Sequence, residues 1–422
     1  LRSHPSTLSA VRSASEGSSC RLVDSLIWLV PDVESSARRR THGTMTRPRG
    51  GRGLHAEYAL GEALIWSHRR TAPSSIWTHG ARSTRTGLAA MTSLTTSRIR
   101  PGTLRQGDLV AFVAPSRPVA IESVAIATRV LESWGLRATT RWLVPGGRGY
   151  LAGQDDGARA SAIEGALCDR EVAAVWCARG GYGATRLLPR IDWARVKATG
   201  RAVALVGYSD VTALHLGIAQ ELGWVTFHGP VAALLEADGP TLTTRGLHQA
   251  LMSATAAGRL PVPGGADGWN PLSCVIRPGR ASGPLTGGNL ALVASLVGTP
   301  WAMQAAGHIV MLEDVSEAPY RIDRMLVQLR QSGALDGCRG IAFGSSPTCE
   351  RAPDDRPSLD LQAVLDELLG DLGVPVTYGW PTGHTAHQWT LPMGVHVTLN
   401  ASGDGMSSSW LSVDETGTEA GT

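Results

Sequence analysis

Runs of consecutive apolar residues alternate with amphipathic stretches from about residue 104 onward. A strand that is covered on both faces is apolar at every position, so these runs predict buried parallel strands. The runs lie at 109–114, 173–178, 202–207, 308–312 and 341–344. Stretches with helical spacing lie between them, at 119–134, 156–168, 241–258, 289–297, 320–331 and 359–369. This alternation is typical of an α/β protein whose parallel sheet carries helices on both faces.

Composition divides the patterned part of the chain in two. Residues 259–282 are rich in Pro and Gly and predict a linker. We therefore expect an N-terminal α/β domain over 104–258 and a smaller C-terminal α/β domain over 283–413. Residues 414–422 are mostly polar and predict a tail.

Residues 1–100 differ from the rest of the chain. They are rich in Ser, Thr, Arg and Gly and show no sustained helical or strand period. Two interpretations are open: a basic disordered arm, or upstream sequence translated from a start site placed too early, with Met91 as the natural start. We favour the second, and in either case the sequence predicts no fold for this segment.

Charge and cysteine content exclude several functional classes. The formal net charge is +3, but residues 1–90 contain thirteen Arg against six acidic residues, so the remainder is mildly acidic. A basic surface for nucleic acid is therefore not expected. The six cysteines form no CxxC pair, which disfavours a zinc ribbon or a disulfide framework. The apolar runs are too short to span a membrane and the first residues lack a signal-peptide pattern, so we expect a cytoplasmic protein without a membrane partner.

The segment Val206–His215 joins an apolar strand to a helical pattern through a tight turn. Ser209 stands at that junction, where its hydroxyl would be exposed above the free N–H groups of a helix N-terminus. That placement suits a nucleophile. The segment departs from the G-x-S-x-G elbow, because Val211 replaces the second Gly. On spacing alone, the simpler alternative that Ser209 or Asp210 only caps the helix is favoured.

A second candidate follows the strand predicted at 173–178. The segment Arg179–Arg186 contains the paired glycines Gly180 and Gly181, which let a backbone approach a ligand and turn N–H groups toward an anion. It fits a phosphate cradle or one arm of an oxyanion hole, and a plain tight turn is the alternative. The match to a dinucleotide fingerprint is poor, because Arg186 stands where the third Gly belongs.

Two further strand-end segments carry titratable side chains. Glu313 and Asp314 follow the run at 308–312, and strand ends are where α/β sites collect. A solvated acidic turn is the alternative. His384 lies in a loop rich in Gly and Pro, and it fits a base, a metal ligand paired with His387, or a surface residue. No HExxH motif accompanies the pair, so no metal is expected.

Together these segments supply the residue types of nucleophilic catalysis. A serine nucleophile needs a base within hydrogen-bond reach, and the base needs an acid that orients it. Ser209, Glu313 and His384 provide the three types, each in a loop at a strand end. Their spacing along the chain neither supports nor forbids contact.

Nine separated blocks between about 104 and 402 resemble the serine LD-carboxypeptidases, which trim murein tetrapeptides, and their microcin self-immunity relatives. The blocks are Gly107–Ser116, Arg179–Gly183, Gly207–Asp210, Phe227–Pro230, Leu285–Leu290, Gly298–Pro300, Leu312–Asp314, Pro319–Arg324 and Gly383–His384. The full series in this order is highly specific. The resemblance implies a flavodoxin-like N-terminal domain with a parallel sheet, a smaller C-terminal α/β domain, and an active site at their interface.

The resemblance also implies roles within that site. Ser209 corresponds to the nucleophile, His384 to the general base and Glu313 to the acid that orients His384. The backbone N–H groups of Gly181 and Asp210 correspond to an oxyanion hole. The resemblance further implies a homodimer that uses neither metal nor cofactor.

The expected reaction is hydrolysis of the L–D peptide bond that releases D-Ala from a murein tetrapeptide. Arg179 and Gly180 are candidates for binding this substrate, but the group that holds the D-Ala carboxylate is not assigned. His228 is expected to make a structural hydrogen bond rather than to contact substrate. One alternative is a microcin-immunity-type peptidase that hydrolyses a peptidyl-nucleotide amide bond, with Trp269 available to stack a purine. Another is a non-catalytic ligand-binding protein on the same scaffold.

Overall fold

The computed structural model of the protein describes residues 98–235, 241–263, 273–351 and 357–419. All of these belong to one unit, Ala90–Thr422. The predictions for residues 1–97 and for Trp269 lie outside the described residues.

Strands and helices alternate along the described residues. The strands are β1 Leu109–Val113, β2 Arg137–Thr139, β3 Gly147–Arg148, β4 Leu151–Ala152, β5 Val172–Cys177, β6 Ala204–Gly207, β7 Thr226–His228, β8 Gly258–Arg259, β9 Cys274–Arg277, β10 Gly279–Asn289, β11 Ile309–Glu313, β12 Gly340–Gly344, β13 Val376–Trp380, β14 Leu391–Met393, β15 His396–Ala401 and β16 Trp410–Val413. The helices are α1 Ile121–Ser133, α2 Asp156–Cys168, α3 Trp193–Lys197, α4 Thr212–Glu221, α5 Leu242–Met252, α6 Leu290–Ser295, α7 Pro319–Gln331 and α8 Leu361–Leu369.

The first sheet is parallel apart from one edge strand. Its order is β14-β7-β6-β5-β1-β2, and only β14 pairs antiparallel, with β7. Numbered by their succession along the chain, the five parallel strands have the order 2-1-3-4-5, which is that of flavodoxin-like folds. Strands β1 and β5 consist of apolar residues that are almost all buried, as their continuous apolar runs predict. The predicted α/β class with an N-terminal parallel sheet is confirmed.

The second sheet is mixed. Its order is β8-β16-β15-β10-β11-β12-β13-β9, with β10 to β13 parallel and the outer strands antiparallel. The long strand β10 pairs with β15 through its first half and with β11 through its second half. The C-terminal α/β domain is therefore built on a mixed sheet.

Part of the segment predicted as a linker, 259–282, forms strands. Strand β9 and the first residues of β10 lie within it. Gly and Pro weaken a strand locally, but β9 pairs with β13, and the start of β10 pairs with β15, so tertiary pairing outweighs composition here. The segment predicted as a polar tail also makes ordered contacts, since Thr418 is buried and its hydroxyl oxygen lies 2.7 Å from that of Thr103.

The second sheet contacts the helix that follows β6 of the first sheet. The backbone N–H of Asn289, at the end of β10, donates to the hydroxyl of Thr212 at the start of α4 over 3.0 Å. Gly288 has a φ of +138°, and a Cβ there would lie 2.5 Å from the same hydroxyl. A glycine is therefore required where β10 passes α4, and this close approach brings the end of β11 near the end of β6.

A buried ion pair supports the loops at the carboxyl end of the first sheet. Arg159 of α2 is wholly buried, donates to Asp156 over 2.5 Å, and also donates to the backbone carbonyl of Pro115 at the end of β1. A hydrogen bond from Arg186 and then one from Arg159 lower the pKa of Asp156 to about 2, although burial acts in the opposite direction. Asp156 is therefore ionised, and the cation of Arg159 is neutralised inside the protein.

Replacing Arg159 by Met should destabilise the fold strongly. The substitution leaves part of a buried carboxylate and a buried carbonyl without their donor, and breaking such a pair costs about 3–5 kcal/mol. Urea denaturation would measure the loss in the free energy of unfolding. Arg190→Met is the matched control, because Arg190 is half-exposed and 4.0 Å from Asp156, so its change should stay within about 0.5 kcal/mol. Equal stability of Arg159→Met and the wild type would contradict this account.

Candidate active site

Ser209 lies at the turn between β6 and α4. It opens a short 3-10 turn, Ser209–Val211, that continues directly into α4. Its φ of +64° is in the left-handed region, which a non-glycine residue adopts only where the surroundings hold it. Neither the 3-10 turn nor α4 has a side-chain cap, so the helix-cap alternative for Ser209 and Asp210 is wrong.

Ser209, His384 and Glu313 form one hydrogen-bonded chain. His384 Nδ1 lies 2.8 Å from Glu313 Oε2, and His384 Nε2 lies 3.1 Å from Ser209 Oγ. A carboxylate only accepts, so Nδ1 carries the hydrogen and Nε2 is free to accept from the hydroxyl. The three residues come from the end of β6, the end of β11 and the loop after β13, which are far apart along the chain.

Burial makes the acid–imidazole pair electrostatically strong. Glu313 is completely buried. Burial alone would raise the pKa of Glu313, but the charge of His384 and its hydrogen bond outweigh that effect and lower it. Burial likewise opposes protonation of His384, and the charge of Glu313 raises the pKa of His384 above its ordinary value. The arrangement therefore stabilises an imidazolium when the ring accepts a proton.

Gly383 gives His384 its access to the acid. Its φ is +92°, and a Cβ at this position would lie 2.6 Å from the carboxyl carbon of Glu313. Any side chain here would collide with the carboxylate that His384 must reach. The contact between His384 and Glu313 therefore requires a glycine at position 383.

The glycine loop after β5 lies against Ser209. A Cβ on Gly180 would be 3.1 Å from Ser209 Cβ and 3.4 Å from its hydroxyl oxygen. Gly181 has a φ of +125° and is exposed, and Arg179 is half-buried at the start of the loop. The structure thus brings together Ser209 and the loop of Arg179, Gly180 and Gly181 that the sequence singles out.

Asp210 is buried and connects three strand-end loops. Its Oδ2 accepts from the hydroxyl of Ser116, after β1, over 2.5 Å and from the N–H of Ala184, after β5, over 2.8 Å. Burial raises its pKa, and these hydrogen bonds act against that effect. Ser116 therefore helps to fix the residue next to Ser209, a role that sequence reasoning missed although Ser116 closes one of the family-like blocks.

The alternative of a solvated acidic turn at Glu313–Asp314 is wrong. Asp314 is 3% exposed, and its carboxylate accepts from the N–H of Ala291 over 2.9 Å at the start of α6. Burial, and then the charge of Glu313, raise its pKa to about 6. The two neighbouring carboxylates thus have different partners: Glu313 binds an imidazole, and Asp314 binds a helix terminus.

The environment of His228 departs from expectation. His228 is buried, and neither ring nitrogen has a hydrogen-bond partner among the described residues, so the expected structural hydrogen bond is not found. Burial lowers the pKa of His228 to about 4, so the ring is neutral.

As for the metal alternative at His384 and His387, the described part of the chain contains no cluster of three or more His, Cys, Asp or Glu residues suited to a metal ion.

Across the described ranges, every helix is too short or too polar to cross a membrane.

The chain matches a known family over both sheets. A family model of the LD-carboxypeptidase N-terminal domain matches residues 110–229, and one of the C-terminal domain matches residues 282–399. The probable murein peptide carboxypeptidase of Bacillus subtilis is 34% identical over 302 residues, which is 71% of this chain and 91% of that protein. The murein tetrapeptide carboxypeptidase of Pseudomonas aeruginosa is 33% identical over 292 residues, 69% of this chain and 92% of that protein.

A solved structure agrees with these matches. The crystal structure of muramoyltetrapeptide carboxypeptidase from Oxalobacter formigenes superposes with a TM-score of 0.61 at 28% identity, covering 74% of this chain and all of that one. The resemblance inferred from nine sequence blocks is thereby confirmed. With its two matched domains and its curated relatives covered over nine-tenths of their length, the chain belongs to the serine LD-carboxypeptidase family.

Proposed function

We propose that this family member releases D-Ala from a murein tetrapeptide by hydrolysing the L–D peptide bond. The single observation that carries the proposal is the hydrogen-bonded chain of Ser209, His384 and Glu313. Relatives of 33% and 34% identity that are named as murein peptide carboxypeptidases support this substrate class. Action as a cytoplasmic homodimer belongs to the same proposal.

The proposed reaction begins at Ser209. Its Oγ forms a bond to the scissile carbonyl carbon while its proton passes to His384 Nε2. The carbonyl π electrons move to oxygen, giving a tetrahedral intermediate. Glu313 stays ionised and stabilises the imidazolium through Nδ1–H. When the carbonyl reforms, the C–N bond breaks, and His384 gives its proton to the amine of the departing D-Ala.

Hydrolysis of the acyl-enzyme repeats these steps with water. His384 takes a proton from the water as its oxygen attacks the ester carbon, and the Ser209 oxygen then leaves and recovers that proton. The chain thus returns to its starting state with one water consumed and one peptide bond cleaved.

Stabilisation of the oxyanion is assigned to the backbone N–H groups of Gly181 and Asp210. Gly180 packs on the Ser209 side chain, so the N–H of the next residue belongs to the immediate surroundings of the nucleophile. Asp210 is the second residue of the 3-10 turn that leads into α4, and the first N–H groups of a helix lack the intrahelical carbonyl partners that later ones have. Each such donor typically lowers the barrier by about 3 kcal/mol.

The proposal is tested by incubating the full chain with murein tetrapeptide and measuring free D-Ala. A tetrapeptide that ends in L-Ala and a peptidyl-nucleotide amide are assayed in parallel. Release of D-Ala from the murein tetrapeptide, without cleavage of the other two compounds, supports the proposed substrate. Cleavage of the nucleotide amide in preference to the tetrapeptide would support the microcin-immunity alternative instead, and binding without turnover would support a ligand-binding protein.

Ser209→Ala should abolish turnover. Removal of the nucleophile leaves only binding and the oxyanion donors, so kcat should fall by at least about 10³-fold. Ser133→Ala, an exposed hydroxyl at the end of α1, is the matched control and should retain full activity. Circular dichroism would verify that both variants are folded, and full hydrolysis by Ser209→Ala would refute the mechanism.

Activity should decline on the acid side as His384 becomes protonated. A raised His384 pKa means that the base form is lost as pH falls through a value above the ordinary one, so kcat/KM decreases there. Glu313→Gln removes the charge that raises this pKa and leaves the burial that lowers it. The acid limb should therefore move to lower pH by about one unit or more, while kcat drops by about 10⁴-fold.

Asp314→Asn is the comparison variant for this pH profile. Asp314 also raises the His384 pKa through its charge, but no hydrogen bond from it to the ring is found among the described residues. The acid limb of the Asp314→Asn pH profile should therefore move to lower pH by less than that of Glu313→Gln. An acid limb that stays in place in Glu313→Gln would show that the titrating group is not the paired imidazole.

A further inference from the structure

A carboxypeptidase that removes one residue must bind that residue's free carboxylate close to the reacting atoms. The carboxyl carbon of D-Ala is separated from the scissile nitrogen by two single bonds of about 1.5 Å each. A cationic group that binds it therefore has to lie beside the nucleophile and the oxyanion donors. None of the three side chains in the hydrogen-bonded chain is a permanent cation.

We propose that the guanidinium of Arg117 binds the terminal carboxylate of the substrate, an inference that rests on the proposed function. Arg117 follows β1 at the carboxyl edge of the first sheet, and its side chain crosses Gly181. A Cβ on Gly181 would lie 2.6 Å from Arg117 Cδ and 3.1 Å from Nε. The cation is thus one residue from Gly180, which touches Ser209, and against the residue assigned to the oxyanion hole.

The backbone around Arg117 is fixed on three sides. The N–H of Arg117 donates to the carbonyl of Gly180 over 3.4 Å. The preceding residue, Ser116, donates its hydroxyl to Asp210 over 2.5 Å and accepts from the N–H of Ala152 over 2.8 Å. These bonds fix the backbone position from which the Arg117 side chain extends over the glycine loop, and a site on a fixed backbone is better placed to recognise a small carboxylate.

The charge of Arg117 is available to a ligand. Its side chain is exposed, and it forms no ion pair with any residue in the described ranges. Arg186, in the same region, is by contrast paired with Asp156 over 2.7 Å. Guanidinium binds a carboxylate with two parallel hydrogen bonds, so an arginine without an ion pair in the described ranges, lying on the glycine loop that packs against Ser209, matches the chemistry of a peptide C-terminus.

Arg179 is the other cation at this loop and the one that the sequence singles out. It is half-buried at the start of the loop, whereas the exposed Arg117 passes over Gly181 itself. A Cβ at Gly181 would displace the Arg117 side chain from this position. The structure therefore favours Arg117 for the carboxylate.

The experiment compares two substrates that differ only in charge. Full-length wild type, Arg117→Gln and Arg117→Lys are assayed with murein tetrapeptide and with its C-terminal carboxamide. Arg117→Gln should lower kcat/KM for the free acid by roughly 30- to 300-fold and change that for the carboxamide by less than about threefold. Arg117→Lys should recover part of the loss, because it retains the charge without the two-pronged geometry.

A binding measurement covers the case in which the carboxamide turns over too slowly. Calorimetry in the Ser209→Ala background gives the Kd of both peptides, and Arg117→Gln should weaken binding of the free acid alone. Arg129→Gln, an exposed arginine in the middle of α1, is the matched control and should leave both affinities unchanged.

The outcomes separate this inference from the proposed function. Wild type that releases no D-Ala overturns the proposed function. Two results would overturn the role of Arg117 if the wild type is active. In the first, Arg117→Gln has the same kcat/KM as the wild type for both peptides. In the second, Arg117→Gln loses kcat/KM equally for the free acid and for the carboxamide. A selective loss for the free acid in Arg179→Gln, with Arg117→Gln unaffected, would assign the carboxylate to Arg179 instead.

Discussion

The site depends above all on the buried carboxylate of Asp210. By accepting from Ser116 and from the N–H of Ala184, it binds the loops after β1 and β5 to the turn after β6. Burying a polar group costs free energy unless the group is hydrogen-bonded. Moving one of the three loops away would break a hydrogen bond to this buried carboxylate, and that cost keeps the loops together. This constraint keeps Ser209 in its unfavourable left-handed backbone conformation, with the glycine loop against its side chain.

Much of the fold follows from the pattern of apolar residues, and the exceptions have identifiable causes. The helix predicted at 156–168 has those bounds in the structure, because Asp155 caps it and apolar spacing continues to Cys168. Strands β1 and β5 are apolar throughout, and β11 is apolar up to its last residue, Glu313, so their runs predict buried strands. Strand β10 was missed because its Gly and Pro residues indicate a loop, and only its partners β15 and β11 make it a strand. The pairing joins segments that are distant along the chain, so it cannot be predicted from the local sequence of β10.

The candidate site shows the same division. Strand-end position and residue type selected Ser209, Glu313 and His384, but their contact joins loops from both sheets and needed the fold. Ser116 and Arg117 could not be predicted as site residues, because a serine and an arginine after a strand are common. Only their contacts in the fold, with Asp210 and with Gly181, distinguish them. His228 illustrates the opposite error: a histidine in a family-like block was expected to have a hydrogen bond, and the structure buries it without one among the described residues.

Strand β14 has a consequence for how the site can move. The loop that carries His384 leaves β13 in the second sheet and enters β14, which pairs with β7 at the edge of the first sheet. The imidazole is therefore anchored at both ends of its loop, once to each half of the molecule. Rotation of one half against the other at this point would break the pairing of Leu391 with His228. The strand that follows the histidine loop thus also completes the first sheet, and the first half alone would expose β7 as an unprotected sheet edge.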